Sequence, residues 1–539
     1  MVCEVSNDVF KDTQIDKWME KQVILDGSRE IIKNIIYNPT NELETLLKRQ
    51  KLLRNFIYDL KYQLAYIKQT ENAIIKTIEM DSLYKNKDND DSEMMMMSML
   101  FPNDFYNSWI SDVSHFLELY HGYRIYSLPL LQIISPIGIV LTPYLYATRN
   151  LGLNITLGDY LQFLWKMIKM SVEYGGDFKT MMIRWITLLV YISVYAYNIW
   201  QTCDSAISLH NHRQVILERM NNVKAYLDIS RSIFEMVGEG VIETISSTFN
   251  ISLPDTTFAI DGSLTDAYCF WTNSESYRFR IERSIQMIYY IDVINTVSNL
   301  LHNPHWCIVE YTTQNVGAIA KDARNPILNN DQQPNNIDLN KNIIVTGPNA
   351  GGKTTYVKTL VANVLLAQTF GIAMSSHMSM SIFDIISTFM RITDVVGSLS
   401  YFEAETKYCK DMIDKAINSP TANILFVMDE PMHSTPPTEG QSTAYAVCEY
   451  IANRFSRARL IITTHFHMMV KLEERYPTLF KNISMDALEK QDGSFLFPYK
   501  IREGYSFQCI AIELLGNKMF PKELIKSAIE QKKLCEKSV

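Results

Sequence analysis

Between Gly347 and Thr354 the chain reads Gly-Pro-Asn-Ala-Gly-Gly-Lys-Thr, a full match to the pattern G-x4-G-K-[ST], and no other stretch limits the fold so strongly. Backbone N–H groups can close on phosphate oxygens only where no Cβ intervenes, and the helix that follows adds partial positive charge at its start. The flanks agree. Ile343–Val345 reads as a short buried strand, and Val357, Leu360, Val361, Val364 and Leu365 recur at helical spacing until Gly371 stops them. Gly347, Pro348, Asn349, Ala350, Gly351, Gly352, Lys353, Thr354 and Thr355 are therefore the expected set for binding ATP. Lys353 is expected to reach the β- and γ-phosphates and Thr354 to hold Mg2+.

Such a strand needs parallel neighbours. From Trp306 onward short apolar runs alternate with helical patterns, which points to βαβ units. Ile424–Met428 delivers Asp429 and Glu430 to a strand's carboxyl end, where open α/β sheets gather their ligands. Asp429 is expected to support hydrated Mg2+ and Glu430 to take a proton from attacking water, which makes the chain an ATPase. A third strand, Leu460–Thr463, runs into Thr464-His465, and His465 is placed to hydrogen-bond the γ-phosphate; His467 reads as structural.

Together GPNAGGKTT, VMDE with Glu439-Gly440 beyond it, and TTHF resemble the ATPase domain of the MutS mismatch-repair family. The resemblance implies an ABC-type P-loop ATPase that works as a homodimer or a MutS-like heterodimer on DNA. Ser400-Tyr401-Phe402-Glu403-Ala404-Glu405 fits the family pattern S-T-F-x-x-E, with Tyr for Thr. By that match Ser400 contacts the nucleotide of the opposite subunit. Asn38-Pro39-Thr40 with LETLLKRQKLL, Ile291-Asp292-Val293, Gly504-Tyr505-Ser506 and Pro521-Lys522-Glu523-Leu524 are similar to further family segments.

There are departures too. The stretch before Asn38 leaves no room for mismatch-reading and connector domains, so DNA is expected to be held without mismatch recognition. After Glu430 the family's G-R-G-T-S-T is replaced by Met432-His433-Ser434-Thr435-Pro436-Pro437. Asn325 stands where the family often has a histidine near the adenine.

The remainder reads as helical, giving a fold of an α-helical core and lever plus an α/β P-loop domain. The expected division is 1–120 helical core, 121–203 apolar hairpin, 204–305 second lever and 306–539 ATPase domain. Ile125–Ala147 carries no charge and is long enough to span a hydrocarbon core, although Pro129, Pro136 and Pro143 interrupt it. A second apolar stretch, Met181–Trp200, is ringed by aromatics. Two readings stand: a transmembrane or re-entrant hairpin, or a buried insert contacting a second protomer. The first would make the chain a membrane-associated mechanical ATPase acting on a lipid or protein partner. Arg149, Lys166, Lys169 and Lys179 between the stretches resist translocation.

Composition only trims these options. A net charge of -8 argues against a chain that coats nucleic acid as a polycation. Eight scattered cysteines without a C-x-x-C pair, and no apolar run from Met1 to Phe10, fit an intracellular, reducing setting.

Overall fold

The computed structural model describes residues 2–85, 116–173, 177–272, 274–329, 331–390, 401–491, 495–508, 510, 512 and 520–537. The chain forms two compact units, one of residues 69–232 and 254–285, the other of residues 1–68, 233–253 and 286–539. The first 68 residues fall in the same unit as the P-loop.

The first unit is helical. Its apolar stretches form α1 (Leu128–Arg149) and the opening of α3 (Phe178–Val237), with α2 (Leu157–Glu173) between them in sequence. The helix persists through Pro136 and Pro143. Two segments expected to be separate, Met181–Trp200 and Gln214–Val237, are one helix of 60 residues. The residues joining them, Gln201–Arg213, contain neither Pro nor Gly, so nothing there breaks the hydrogen-bond ladder. Downstream, α3 buries Leu209, Ile216, Met220 and Val223, whereas its upstream third is exposed. Helix α4 (Ser274–Leu300) carries Asp292 into the second unit, where it is fully buried and accepts N–H bonds from Ile24 and Leu25.

The second unit is built on a seven-stranded sheet. Its strands are β1 (Glu4–Val5), β2 (Asn342–Thr346), β3 (Ile385–Phe389), β4 (Ile424–Asp429), β5 (Ala458–Thr463), β6 (Phe480–Met485) and β7 (Ile501–Glu503). They lie in the order β1–β3–β4–β5–β2–β6–β7, all parallel except β7 at one edge. Strand β1 lies outside the stretch expected to supply the sheet. Two residues are too few to show an alternating pattern, so the strand exists only because β3 offers it an open edge.

Runs such as Ile424–Met428 and Leu460–Ile462 are buried throughout, as parallel strands covered on both faces must be. Helices α5 (Lys353–Phe370), α6 (Tyr401–Asn418) and α7 (Pro437–Arg454) belong to this unit. Between α6, α7 and the sheet lies a core that includes Met412, Phe426, Cys448, Ile451 and Leu460. A smaller four-stranded sheet is formed by Glu310–Tyr311, His377–Met380, Ala318–Ala323 and Asn335–Asp338.

Candidate functional site

Strand order alone brings the three sequence motifs together. Strand β5 lies between β2 and β4, with Ile461 beside Ile343 and Asp429 beside Thr463, so the carboxyl ends of all three meet. From β2 comes the Gly347–Thr354 loop, from β4 Asp429 and Glu430, and from β5 Thr464 and His465.

The loop's glycines are there for backbone reasons. Gly347 has φ +138°, and a Cβ on it would lie 2.2 Å from the Met485 carbonyl oxygen. Gly352 turns into α5 at φ +100°, a left-handed conformation that other residues avoid. Lys353 then opens the helix, 5% exposed, and its Nζ donates to the carbonyls of Gly347 at 3.0 Å and Pro348 at 3.3 Å. Burial pushes its pKa down, opposed by the nearby Glu430 and Asp429 carboxylates. At the next residue, the Thr354 hydroxyl lies 2.9 and 3.1 Å from the two Asp429 carboxylate oxygens. The Thr463 hydroxyl donates to the same carboxylate.

Glu430 leaves the strand in the left-handed region at φ +53°, held there by bonds from its N–H to the Thr463 carbonyl at 3.0 Å and hydroxyl at 3.2 Å. Its Oε1 is 3.0 Å from His465 Nε2 and 3.9 Å from Lys353 Nζ. A hydrogen bond from His465 holds the Glu430 carboxyl below its usual range, against the effect of partial burial. The same Nε2 is 2.8 Å from Asn349 Oδ1 and 3.1 Å from Lys353 Nζ. One ring nitrogen cannot donate to two oxygens and also accept from an ammonium, so His465 must choose among these partners. A ligand entering between Lys353 and Glu430 would decide the choice.

Beside these residues opens a cavity of about 1050 Å³. Lys353, Thr354 and Glu430 lie at its polar end, while Leu328, Phe497 and Tyr499 supply apolar and aromatic surface. Asn325 is not on this wall. It is buried in a turn, exchanging hydrogen bonds with Gln332 at 2.7 and 2.8 Å. Phe497 and Tyr499 were missed by sequence reasoning, although the run Phe495-Leu496-Phe497-Pro498-Tyr499 carries an aromatic signal.

Ser400 falls outside the described residues. Glu405, the last letter of its motif, is 1% exposed and accepts hydrogen bonds from the His433 and Ser434 backbone at 3.2 and 3.3 Å and from the Ser434 hydroxyl. It thereby grips the loop that departs from the family pattern. His467 stacks on Phe507 at 3.8 Å, the structural role expected of it.

Thr354 and Asp429 place hard oxygen donors together, the chemistry that a hydrated divalent cation needs when phosphate supplies further ligands. Among the described residues no cluster of three His, Cys, Asp or Glu side chains offers a cage independent of a ligand.

Residues 343–536 match the family model for MutS domain V. The chain is 27% identical over 271 residues to the DNA mismatch repair protein MutS of Streptococcus pyogenes serotype M5 (strain Manfredo) and equally to that of serotype M49 (strain NZ131). The alignment takes in 49% of this chain and 31% of each relative, so the chain matches about a third of these relatives' length. The matched segment contains the loop, both carboxylates and His465, and over these residues the chain is similar to the MutS family, as a partial-length match.

Proposed function

We propose that the P-loop unit binds ATP with Mg2+ and hydrolyses it, and that a dimer of such units works as a clamp on DNA. The observation that carries this reading is that Lys353, Thr354 and Glu430 line a cavity shared with Phe497 and Tyr499, with Asp429 bonded to Thr354 and His465 to Glu430 behind them. Gly347–Thr355 would wrap the phosphates, and Lys353 would give up its carbonyl partners for phosphate oxygens. Phe497 and Tyr499 offer ring faces to a base. Thr354 and Asp429 would hold Mg2+, whose charge offsets that of the phosphates. Catalysis by such a site is positioning plus charge neutralisation. Glu430 orients water and accepts its proton, and His465, within reach of Glu430 and of Asn349, would change partner with the γ-phosphate. Ser400 of one protomer would complete the site of the other, whether the second subunit is the same chain or a relative.

The DNA reading rests on the relatives, which are DNA mismatch repair proteins. It fits an intracellular ATPase, and we prefer it to a mechanical ATPase acting on a lipid or protein partner. In the domain scheme we adopt, residues 306–539 form the ATPase domain and the helical segments its lever. The test is Glu430→Gln, which should abolish ATP turnover by the purified protein while leaving nucleotide binding nearly intact. An unchanged rate would remove Glu430 from the mechanism. Duplex DNA binding should weaken steeply with salt, as backbone contacts do; a salt-independent affinity would refute the clamp.

A further inference from the structure

A nucleotide-driven clamp gives no reason for the surface of α1 and the opening of α3. No residue of α1 is buried. Its exposed apolar side chains, among them Leu131, Ile134, Ile137 and Ile139, point around the helix at about 100° per residue rather than along one stripe. In α3 the run from Trp185 to Trp200 is equally bare. A soluble protein scatters such residues singly, and a protein partner would cover one face. Here every face is apolar, and only a solvent that surrounds the helices removes all of them from water.

The dimensions match one such solvent. No Asp, Glu, Lys or Arg occurs between Arg124 and Arg149 or between Arg184 and Asp204. The 22 residues of α1 are about 33 Å long, against roughly 30 Å for a hydrocarbon core. Ser135 meets Tyr195 at 3.2 Å, and Arg124 and Leu128 share a pocket with Gln201, Thr202 and Ser205, so the two helices run antiparallel as a hairpin. Arg149 and Arg184 therefore fall at one end, Arg124 and Asp204 at the other. Aromatic rings gather near both ends, Tyr197 with Trp200 at 5.9 Å and Tyr144 with Tyr160 at 5.3 Å.

Inside lipid every polar group must find a partner within the protein. Pro136 has no N–H, which deprives the Gln132 carbonyl of its helical donor. Two hydroxyls replace it, from Ser135 at 2.9 Å and from Tyr195 across the hairpin. Thr142, Thr148, Thr187 and Thr202 each donate to the carbonyl four residues back, at 2.7 to 3.0 Å. In water none of these substitutions is required. Helix α2 joins the Arg149 end, where Ile155 accepts a bond from Tyr144 at 3.3 Å and Ser171 one from Arg184 at 3.1 Å. Lys166 and Lys169 share α2 with Leu161, Leu164 and Ile168, the mixture of an interfacial helix.

We infer that α1 and the Trp185–Trp200 part of α3 form a hairpin that spans a lipid bilayer, with α2 lying among the headgroups at the Arg149 end. The inference stands apart from the chemistry of the nucleotide site. It is tested on the full chain, purified in mild detergent and reconstituted with vesicles of phosphatidylcholine and phosphatidylglycerol at three to one. The wild type should float with the vesicles and resist carbonate, and brominated acyl chains should quench its tryptophan emission. Ile137→Arg with Val194→Arg puts cations at the centre of both helices, and each should lower partitioning roughly a hundredfold. Nucleotide binding by the variant in detergent shows that the other unit is folded. Tyr195→Phe, a milder change, should still float. A chain that stays monomeric and soluble without detergent overturns the inference. So does a detergent-free oligomer of defined size, which would mean that a second copy covers the hairpin, and so does flotation unaffected by the two arginines.

Discussion

Replacing Glu405 tests whether the loop after Glu430 is held in a productive shape. Two non-glycine residues of that loop, Glu430 at φ +53° and Met432 at φ +61°, sit in the left-handed region, at a cost of about 1–3 kcal/mol each. Something must hold them, and the buried Glu405 carboxylate accepts three hydrogen bonds from the next two residues. The backbone bonds are long and the loop is half open to water. The three together should therefore contribute about 2–3 kcal/mol, the sum for three ordinary hydrogen bonds rather than for three strong bonds to a buried charge. Glu405→Ala should lower the urea-unfolding free energy of the P-loop unit by that amount. Ser434→Ala alone should cost about 1–2 kcal/mol, and almost nothing once Glu405 is gone. The double-mutant coupling is then about 1 kcal/mol or more. Because Glu405 is not on the cavity wall, Glu405→Gln should reduce kcat for ATP about ten- to a hundredfold with less than a threefold change in nucleotide Kd. A coupling below about 0.3 kcal/mol, or a loss of affinity equal to the loss of kcat, would refute the reasoning.

Tyr499→Ala should weaken ATP binding about tenfold, the order of one lost stacking contact, and leave inorganic triphosphate binding unchanged in titration calorimetry; equal losses for both would place the ring elsewhere. Gly347→Ala forces a Cβ to 2.2 Å from a backbone oxygen at a positive φ, so the thermal midpoint should drop by an amount corresponding to about 2 kcal/mol or more. His465→Ala removes the hydrogen bond that does most to hold the Glu430 pKa down, so that pKa should rise. The acid limb of the turnover profile should then move to higher pH. By the same linkage, the stability that Glu430 lends the fold is present above its unfolded pKa and lost as pH falls through the lowered folded value. An acid limb that does not move, measured from pH 4 to 7, would separate His465 from Glu430.

What was legible in the sequence was whatever is local in it. The P-loop, the Asp429-Glu430 pair and His465 could be read because each lies in a contiguous run at the end of a short apolar strand. The parallel sheet then has only to place three strand ends side by side. Features that depend on distant segments could not be read. Strand β1 is two residues long and takes its meaning from the open edge of β3. The aromatic wall comes from a loop that follows the last parallel strand, and Asn325, noted as a departure from the family's histidine, lies in a turn off that wall. Asp292 could be noted as part of a resemblance, but its reason is the pair of N–H groups that it receives from Ile24 and Leu25.

The loop at Met432–Pro437, where the resemblance has G-R-G-T-S-T, is held in place without that pattern's arginine. Pro436 and Pro437 close the segment that stands in place of that pattern. In the structure Pro437 occupies the first turn of α7, where its missing N–H would have had no helical partner and its fixed φ suits the helix. Gly440 follows one turn later, and a Cβ there would lie 2.5 Å from the Met432 carbonyl oxygen. The segment carrying Glu430 is thus fixed from three sides: by Thr463 on the neighbouring strand, by Glu405 on α6, and by the close approach of α7 that Gly440 permits. Each restraint acts on backbone rather than on the arginine's position. The turn can therefore keep Glu430 against His465 with a different set of side chains, and the proline substitutions strengthen the one restraint that does not depend on a hydrogen bond.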